Sequence, residues 1–237
     1  MERLSSNTEI TFQNINDTSS ILNNDPSRLP NQVMNPLSCM EIEAKAVEIS
    51  EYDTIAFLDA DVRVSDNWAI SMFNALQLND YVAGDIIIDP DLIDGFFHEY
   101  DSITAFDIES YMKAGHGVTA NLGVRKSVFN KLGGFNSSLR SGEDLEFGDR
   151  VTMEGTFKTA LCKDALAFHP PRSLKAQINK RKRVVQGHLY LSSMYPERYL
   201  KYKKIYSNPI KMIKPTLKFQ KIINKYSSSW KYPLYFA

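Results

Sequence analysis

Asp59 and Asp61 close a short apolar run, Ile55-Ala56-Phe57-Leu58, with one alanine between them. The run reads as a buried strand, and the end of such a strand is where an open α/β sheet places its ligand site. Two carboxylates this close repel each other, and a cation between them relieves the repulsion. A hard divalent cation among oxygen ligands points in turn to a phosphate ligand. Three later features could join this pair: Gly133-Gly134-Phe135, Gly142-Glu143-Asp144 and His169 before Pro170-Pro171. Each alone has a plainer explanation. A Gly-Gly pair makes a turn, acids in a first helical turn suit the helix dipole, and a lone histidine before prolines packs in a loop.

The pattern around these residues alternates strands with helices. Residues 8–15 alternate well enough for a strand and run into the polar turn 16–20, and 23–38 read as loop. A helix over 40–50 leads into a strand at 54–58. Ser65 or Asp66 could cap a helix over 67–77, and 81–88 form a second core strand. The acidic, aromatic stretch 90–113 is helical. A strand near 118–124, short and longer helices over 127–132 and 144–154, and strands near 158–162 and 165–168 follow. A basic helix over 173–192 comes last. This order predicts α/β layers around a mixed, mostly parallel sheet flanked by helices.

The chain has 237 residues, 43% of them hydrophobic, enough for a sizeable core without disulfides. Cys39 and Cys162 are the only cysteines, which fits a reducing compartment and offers no metal-cluster spacing. The start lacks the apolar core of a signal peptide, and no apolar run could span a bilayer, so a cytoplasmic location is expected. The formal net charge of zero hides an asymmetry: residues 1–174 hold 13 Lys/Arg and 27 Asp/Glu, residues 175–237 hold 15 and one. The basic end could meet the acidic body, an anionic membrane or a nucleic acid. No nucleic-acid module accompanies it, so no specific nucleic acid is expected. The expected organisation is a domain over 1–192 and a basic, helical, Lys/Tyr-rich extension over 193–237. Apolar residues interspersed with lysines in that extension suit peripheral contact with a membrane's inner face.

In their order and spacing, these motifs resemble the family 2 glycosyltransferases and their relatives of the GT-A, Rossmann-like fold. The resemblance is carried by Phe57–Asp61, Ala120–Phe129, Leu132–Asn136, Gly142–Arg150 and His169–Arg172. It implies transfer of a sugar from a nucleotide-sugar donor to a glycan or lipid-linked hydroxyl acceptor, as in polysaccharide biosynthesis. Asp61 and His169 would be ligands of Mn²⁺ or Mg²⁺, with Asp59 facing the ribose or the metal shell. Asp144 would be the general base of an inverting reaction, and Glu143 would bind acceptor or sugar hydroxyls. Gly133, Gly134 and Phe135 would shape the acceptor side of the cleft, and Asn121 would face substrate. Relative to the family, the chain starts just before the second strand. Asn16 or Asp17 would then take the base-contacting position. Arg150 is read more simply, as the partner of an acid on its own helix. Two alternatives accompany this reading. One is a degenerate transferase that binds without turnover. The other is a haloacid-dehalogenase-like phosphatase, which also places Asp-x-Asp after an apolar strand but leaves Gly-Gly-Phe and His-Pro-Pro without a role.

Overall fold

A computed structural model describes residues 39–207, with side chains from Glu43 onward. The strand expected at 8–15, the turn holding Asn16 and Asp17, the loop 23–38 and the tail beyond 207 lie outside the described residues. The chain divides into two compact units, 1–50 and 51–237. In the first, helix α1 (Cys39–Ile49) carries an exposed Lys45–Glu48 pair at 2.8 Å.

The second unit contains strands β1 (Thr54–Leu58), β2 (Arg63–Val64), β3 (Tyr81–Ile88), β4 (Asn121–Arg125) and β5 (Thr159–His169). Its helices are α2 (Trp68–Leu78), α3 (Phe96–Thr104), α4 (Ile108–Lys113), α5 (Lys126–Lys131), α6 (Glu143–Glu154), α7 (Leu174–Met194) and α8 (Pro196–Tyr206). Strands β1, β3 and β5 share one direction, while β2 and β4 oppose it. The sheet is mixed and helix-flanked as expected, but its balance differs. Among the described strands only β3 and β5 pair in parallel, because β4 inserts between β1 and β3 and runs against both. The two strands expected near 158–162 and 165–168 are one strand. An irregular register between Cys162 and Leu166 lets β5 follow β3 throughout.

Strand order β1-β4-β3-β5-β2 puts β1 and β2 at opposite ends of the sheet, yet only Asp59–Val62 connect them. Four strand spacings laid flat would cover about 19 Å. The connection is a turn, with Val62 N donating to Asp59 O at 3.3 Å, and cannot bridge that distance. The sheet therefore curls, bringing the carboxyl end of β1 round to that of β5. This closure sets Asp59 and Asp61 beside His169.

Both faces of the sheet are covered, as period-2 alternation requires. Val82 points to the side where Trp68, Met72 and Leu76 of α2 pack, and Ala83 to the side of Ile108 on α4. Gly123 admits α2: a Cβ there would lie 2.6 Å from Met72 Sδ. Phe57, Phe129, Phe135 and Phe147 form an aromatic cluster with ring centroids 5.0–5.8 Å apart, joining β1, α5 and α6. The domain boundary expected after residue 192 falls inside a helical hairpin. Leu191 and Tyr199, from α7 and α8, share a core with Leu139 and Leu145, so α8 is integral to this unit.

Candidate functional site

Asp59, Asp61 and His169 meet at the curled edge. One ligand atom from each lies within 4.8 Å of the others. Asp61 is 62% exposed, whereas His169 is 3% exposed, and 4.0 Å separates Asp61 Oδ1 from His169 Nε2. His169 Nδ1 lies 2.6 Å from Pro170 O. A ring nitrogen facing a carbonyl must donate, which leaves the lone pair on Nε2. Burial lowers the His169 pKa and Arg172 reinforces this, while the hydrogen bond to Pro170 O and the charges of Asp61 and Asp59 oppose it without reversing it. Nε2 accepts from Arg172 Nη2. Two carboxylates and a neutral imidazole suit Mn²⁺ or Mg²⁺, which would take the Nε2 lone pair in place of Arg172 Nη2. Partial withdrawal from water raises Asp59, His169 opposes this, and the charge of Asp61 adds to it.

Glu143 and Asp144 open α6. The residue before it, Gly142, is left-handed with φ of +87°, a conformation glycine adopts without strain. The turn also stays close to α7: a Cβ on Gly187 would lie 2.3 Å from Ser141 O. Glu143 Oε2 is buried without a hydrogen-bond partner. Loss of water pushes Asp144 up to about 7, and the charges of Glu143 and Asp59 add to this. Desolvation likewise raises Glu143, with Arg183 opposing and Asp59 reinforcing. Asp59 thus acts electrostatically on both acids of α6, so they belong to one field with the Asp-x-Asp pair. Gly148, one turn beyond Asp144, lets α6 press against the loop before β4, where a Cβ would lie 2.4 Å from His116 Cβ.

Asn121 and Phe135, expected at the site, are buried in the core instead. Asn121 is 0% exposed. Its amide donates to Asp85 O at 2.9 Å and Ala165 O at 2.8 Å, and its carbonyl accepts from Trp68 Nε1 at 2.9 Å. A polar side chain at the start of β4 looks substrate-facing in sequence. Here it ties strands to α2 across the sheet, and no part of it reaches a cleft. Gly84 makes this possible, since a Cβ there would lie 2.2 Å from Asn121 Nδ2. Phe135 is buried in the aromatic cluster and does not shape a cleft. Gly133 and Gly134, at φ +76° and +69°, form a left-handed turn that Arg150 fastens. Arg150 donates to both Glu146 oxygens at 2.8 Å, to Gly134 O at 2.6 Å and to Leu132 O. The helix-face partner expected for Arg150 is therefore present, and the same guanidinium holds the glycine turn.

Sequence reasoning gave no site role to three cations. A cavity of about 610 Å³ beside Asp61 and His169 is lined by Arg172, Lys180 and Arg183. Arg172 ends the His-Pro-Pro-Arg motif just before α7, whereas Lys180 and Arg183 sit within a long basic stretch, where only the register of α7 separates them from its solvent-facing charges.

The helix-flanked, curled mixed sheet matches the fold of a glycosyltransferase of known structure. The chain is 29% identical over 147 residues to "Glycosyltransferase AglE" of Haloferax volcanii, covering 60% of this chain and 48% of the relative. It superposes on "Mannosyltransferase PcManGT from Pyrobaculum calidifontis in complex with GDP-Man and Mn2+" with a TM-score of 0.52 and 11% identity. That match covers 84% of this chain and 56% of the other. The chain thus spans about half the length of the curated relative it matches. No family model matches the sequence. Among the described residues, no helix is long and apolar enough to cross a membrane.

Proposed function

We propose that this chain is a metal-dependent, inverting glycosyltransferase. It moves a sugar from a nucleotide-sugar donor to a hydroxyl of a glycan or lipid-linked acceptor. The observation that carries this reading is the convergence of Asp59, Asp61 and His169, distant in sequence, to within 4.8 Å at the mouth of the sheet. The structural neighbour's complex with GDP-Man and Mn²⁺ supports a nucleotide-sugar donor and a divalent cation. The phosphatase alternative gives His169 no role, although it completes the group.

Asp61 and His169 would hold the cation, with Asp59 completing the shell or meeting the ribose. When bound, the cation would neutralise charge on the departing nucleoside diphosphate. Asp144 would take the proton from the acceptor hydroxyl as that oxygen bonds to the anomeric carbon. The bond from that carbon to the diphosphate oxygen breaks on the opposite face, which inverts the configuration. A carboxylate with a pKa of about 7 is well matched to this task near neutral pH. The unpartnered Glu143 Oε2 would accept from a substrate hydroxyl. Gly133 and Gly134 would border the acceptor side. Asn16 or Asp17 would contact the base, and the basic extension would keep the chain near an anionic membrane.

Titration of Mn²⁺ followed by electron paramagnetic resonance tests the metal site. One bound ion per chain in the presence of a nucleoside diphosphate, lost in Asp61→Asn and His169→Gln, is expected. Unchanged Mn²⁺ binding in both variants would refute it. Flotation with anionic liposomes, compared with a chain ending at Ser207, tests the membrane contact.

A further inference from the structure

Arg172 uses the lone pair that a metal ion would need. Its Nη2 donates to His169 Nε2, and Nδ1 of the same ring is engaged with Pro170 O. One lone pair cannot serve a guanidinium and a metal ion at once. The charge of Arg172 also reaches Asp59, where it opposes the rise that burial causes.

The backbone of Arg172 is pinned, but its side chain has a second partner close by. Arg172 N donates to Asp101 Oδ2 at 2.8 Å, and Arg172 O accepts from Gln177 Nε2 at 2.7 Å. Among the described residues, Nη1 is buried without a hydrogen bond, and Asp101 Oδ2 lies 3.9 Å from it. A charge-assisted hydrogen bond closes at about 2.8 Å, so the gap is about 1 Å. Asp101 is 4% exposed, so its carboxylate has little water to pair with instead. Phe106 backs both groups: its ring centre is 5.5 Å from Arg172 Cζ and 5.3 Å from the His169 ring centre. Guanidinium groups stack on aromatic faces, so Phe106 supports the side chain in either position. An arginine with a purely structural task would have both ends satisfied. Here one end meets a metal-ligand candidate, and the other stops short of a buried carboxylate on α3.

We propose that Arg172 occupies His169 Nε2 and yields it to a divalent cation, with Asp101 the positioning residue that receives the displaced guanidinium. The guanidinium is rigid and planar, so closing Nη1 onto Asp101 carries Nη2 away from the ring. No covalent bond changes, and the His169 proton stays on Nδ1. Asp101 thereby sets how readily the site loads without touching the metal. The proposal rests on the reading of His169 as a metal ligand.

A double-mutant cycle on Mn²⁺ affinity tests this, with Mn²⁺ alone titrated into the intact chain and the free ion read by electron paramagnetic resonance. Each variant is checked for folding by circular dichroism. Arg172→Met keeps the packing on Phe106 but removes the competing donor, and should tighten Mn²⁺ binding about tenfold. Asp101→Asn can still accept from Arg172 N, and should weaken binding about fivefold. With both changes present, affinity should match Arg172→Met alone within about twofold, because Asp101 acts only through Arg172. Charge effects without displacement would simply add. Unchanged or weaker binding in Arg172→Met, or an equal effect of Asp101→Asn in both backgrounds, would overturn the proposal. If His169→Gln still abolishes Mn²⁺ binding in that case, the metal reading survives alone. If neither wild type nor Arg172→Met binds Mn²⁺, the proposal and the metal reading fail together.

Discussion

Raising the pH should switch the reaction on through Asp144. Its pKa is pushed up to about 7 by loss of water and by the charge of Glu143. A base works only when ionised, so kcat/KM should rise with pH and level off above the pKa. About one-tenth of the free enzyme is competent at pH 6 and about nine-tenths at pH 8, a roughly ninefold rise with its midpoint near 7. Glu143→Gln isolates the neighbour's share. Glu143 is the largest of the neighbouring charges that raise Asp144. At a generic spacing of about 7 Å and an effective dielectric constant of about 40, between the protein-surface and bulk-water values, a unit charge contributes on the order of 1 kcal/mol. Removing it should move the midpoint down by about half to one unit, whatever the variant does to the plateau. Asp144→Asn should remove the limb and lower kcat by about 10²–10⁴-fold. The assay is initial-rate release of nucleoside diphosphate between pH 5.5 and 9 at saturating metal. A flat profile, a midpoint unmoved or raised in Glu143→Gln, or full activity in Asp144→Asn would refute this reasoning.

Arg150→Ala should destabilise the protein by about 3–5 kcal/mol in urea unfolding, because it strips a buried carboxylate of its partner and frees the glycine turn. Arg150→Lys should recover only part of this, since lysine cannot make the forked contact. Asn121→Ala should cost about 2–4 kcal/mol by leaving Trp68 Nε1 and two strand carbonyls unpaired, while KM for donor stays unchanged. A raised KM with wild-type stability would return Asn121 to the substrate site.

The parts of the structure that obey local periodicity were legible in the sequence. β1 and β3 fall on the expected residues 54–58 and 81–88, and the acids of α6 fall at a helix start as their chemistry suggested. The convergence of His169 with Asp-x-Asp follows from a non-local property. Only the strand order, with β1 and β2 at opposite ends of a sheet joined by a short turn, forces the curl that brings them together. Strand directions were misjudged for the same reason: alternation of elements does not report that β4 inserts between β1 and β3. Asn121 and Phe135 show a second limit. A polar residue at a strand start and an aromatic after a glycine turn look functional, yet cross-strand carbonyls satisfy the one and three phenylalanine rings enclose the other. The cations of α7 were hidden by abundance. Fifteen Lys/Arg in the last 63 residues look like one solvated charge run until helical register turns a few of them toward Asp61.

The most direct test of the central claim is release of nucleoside diphosphate from a panel of nucleotide-sugars, with and without chelator, by wild type and by Asp61→Asn. At least one donor should be turned over only when Mn²⁺ or Mg²⁺ is present, with the activity abolished in a folded Asp61→Asn protein. Turnover indifferent to both chelation and Asp61, or absent for every donor in the presence of metal and acceptor extract, would contradict it.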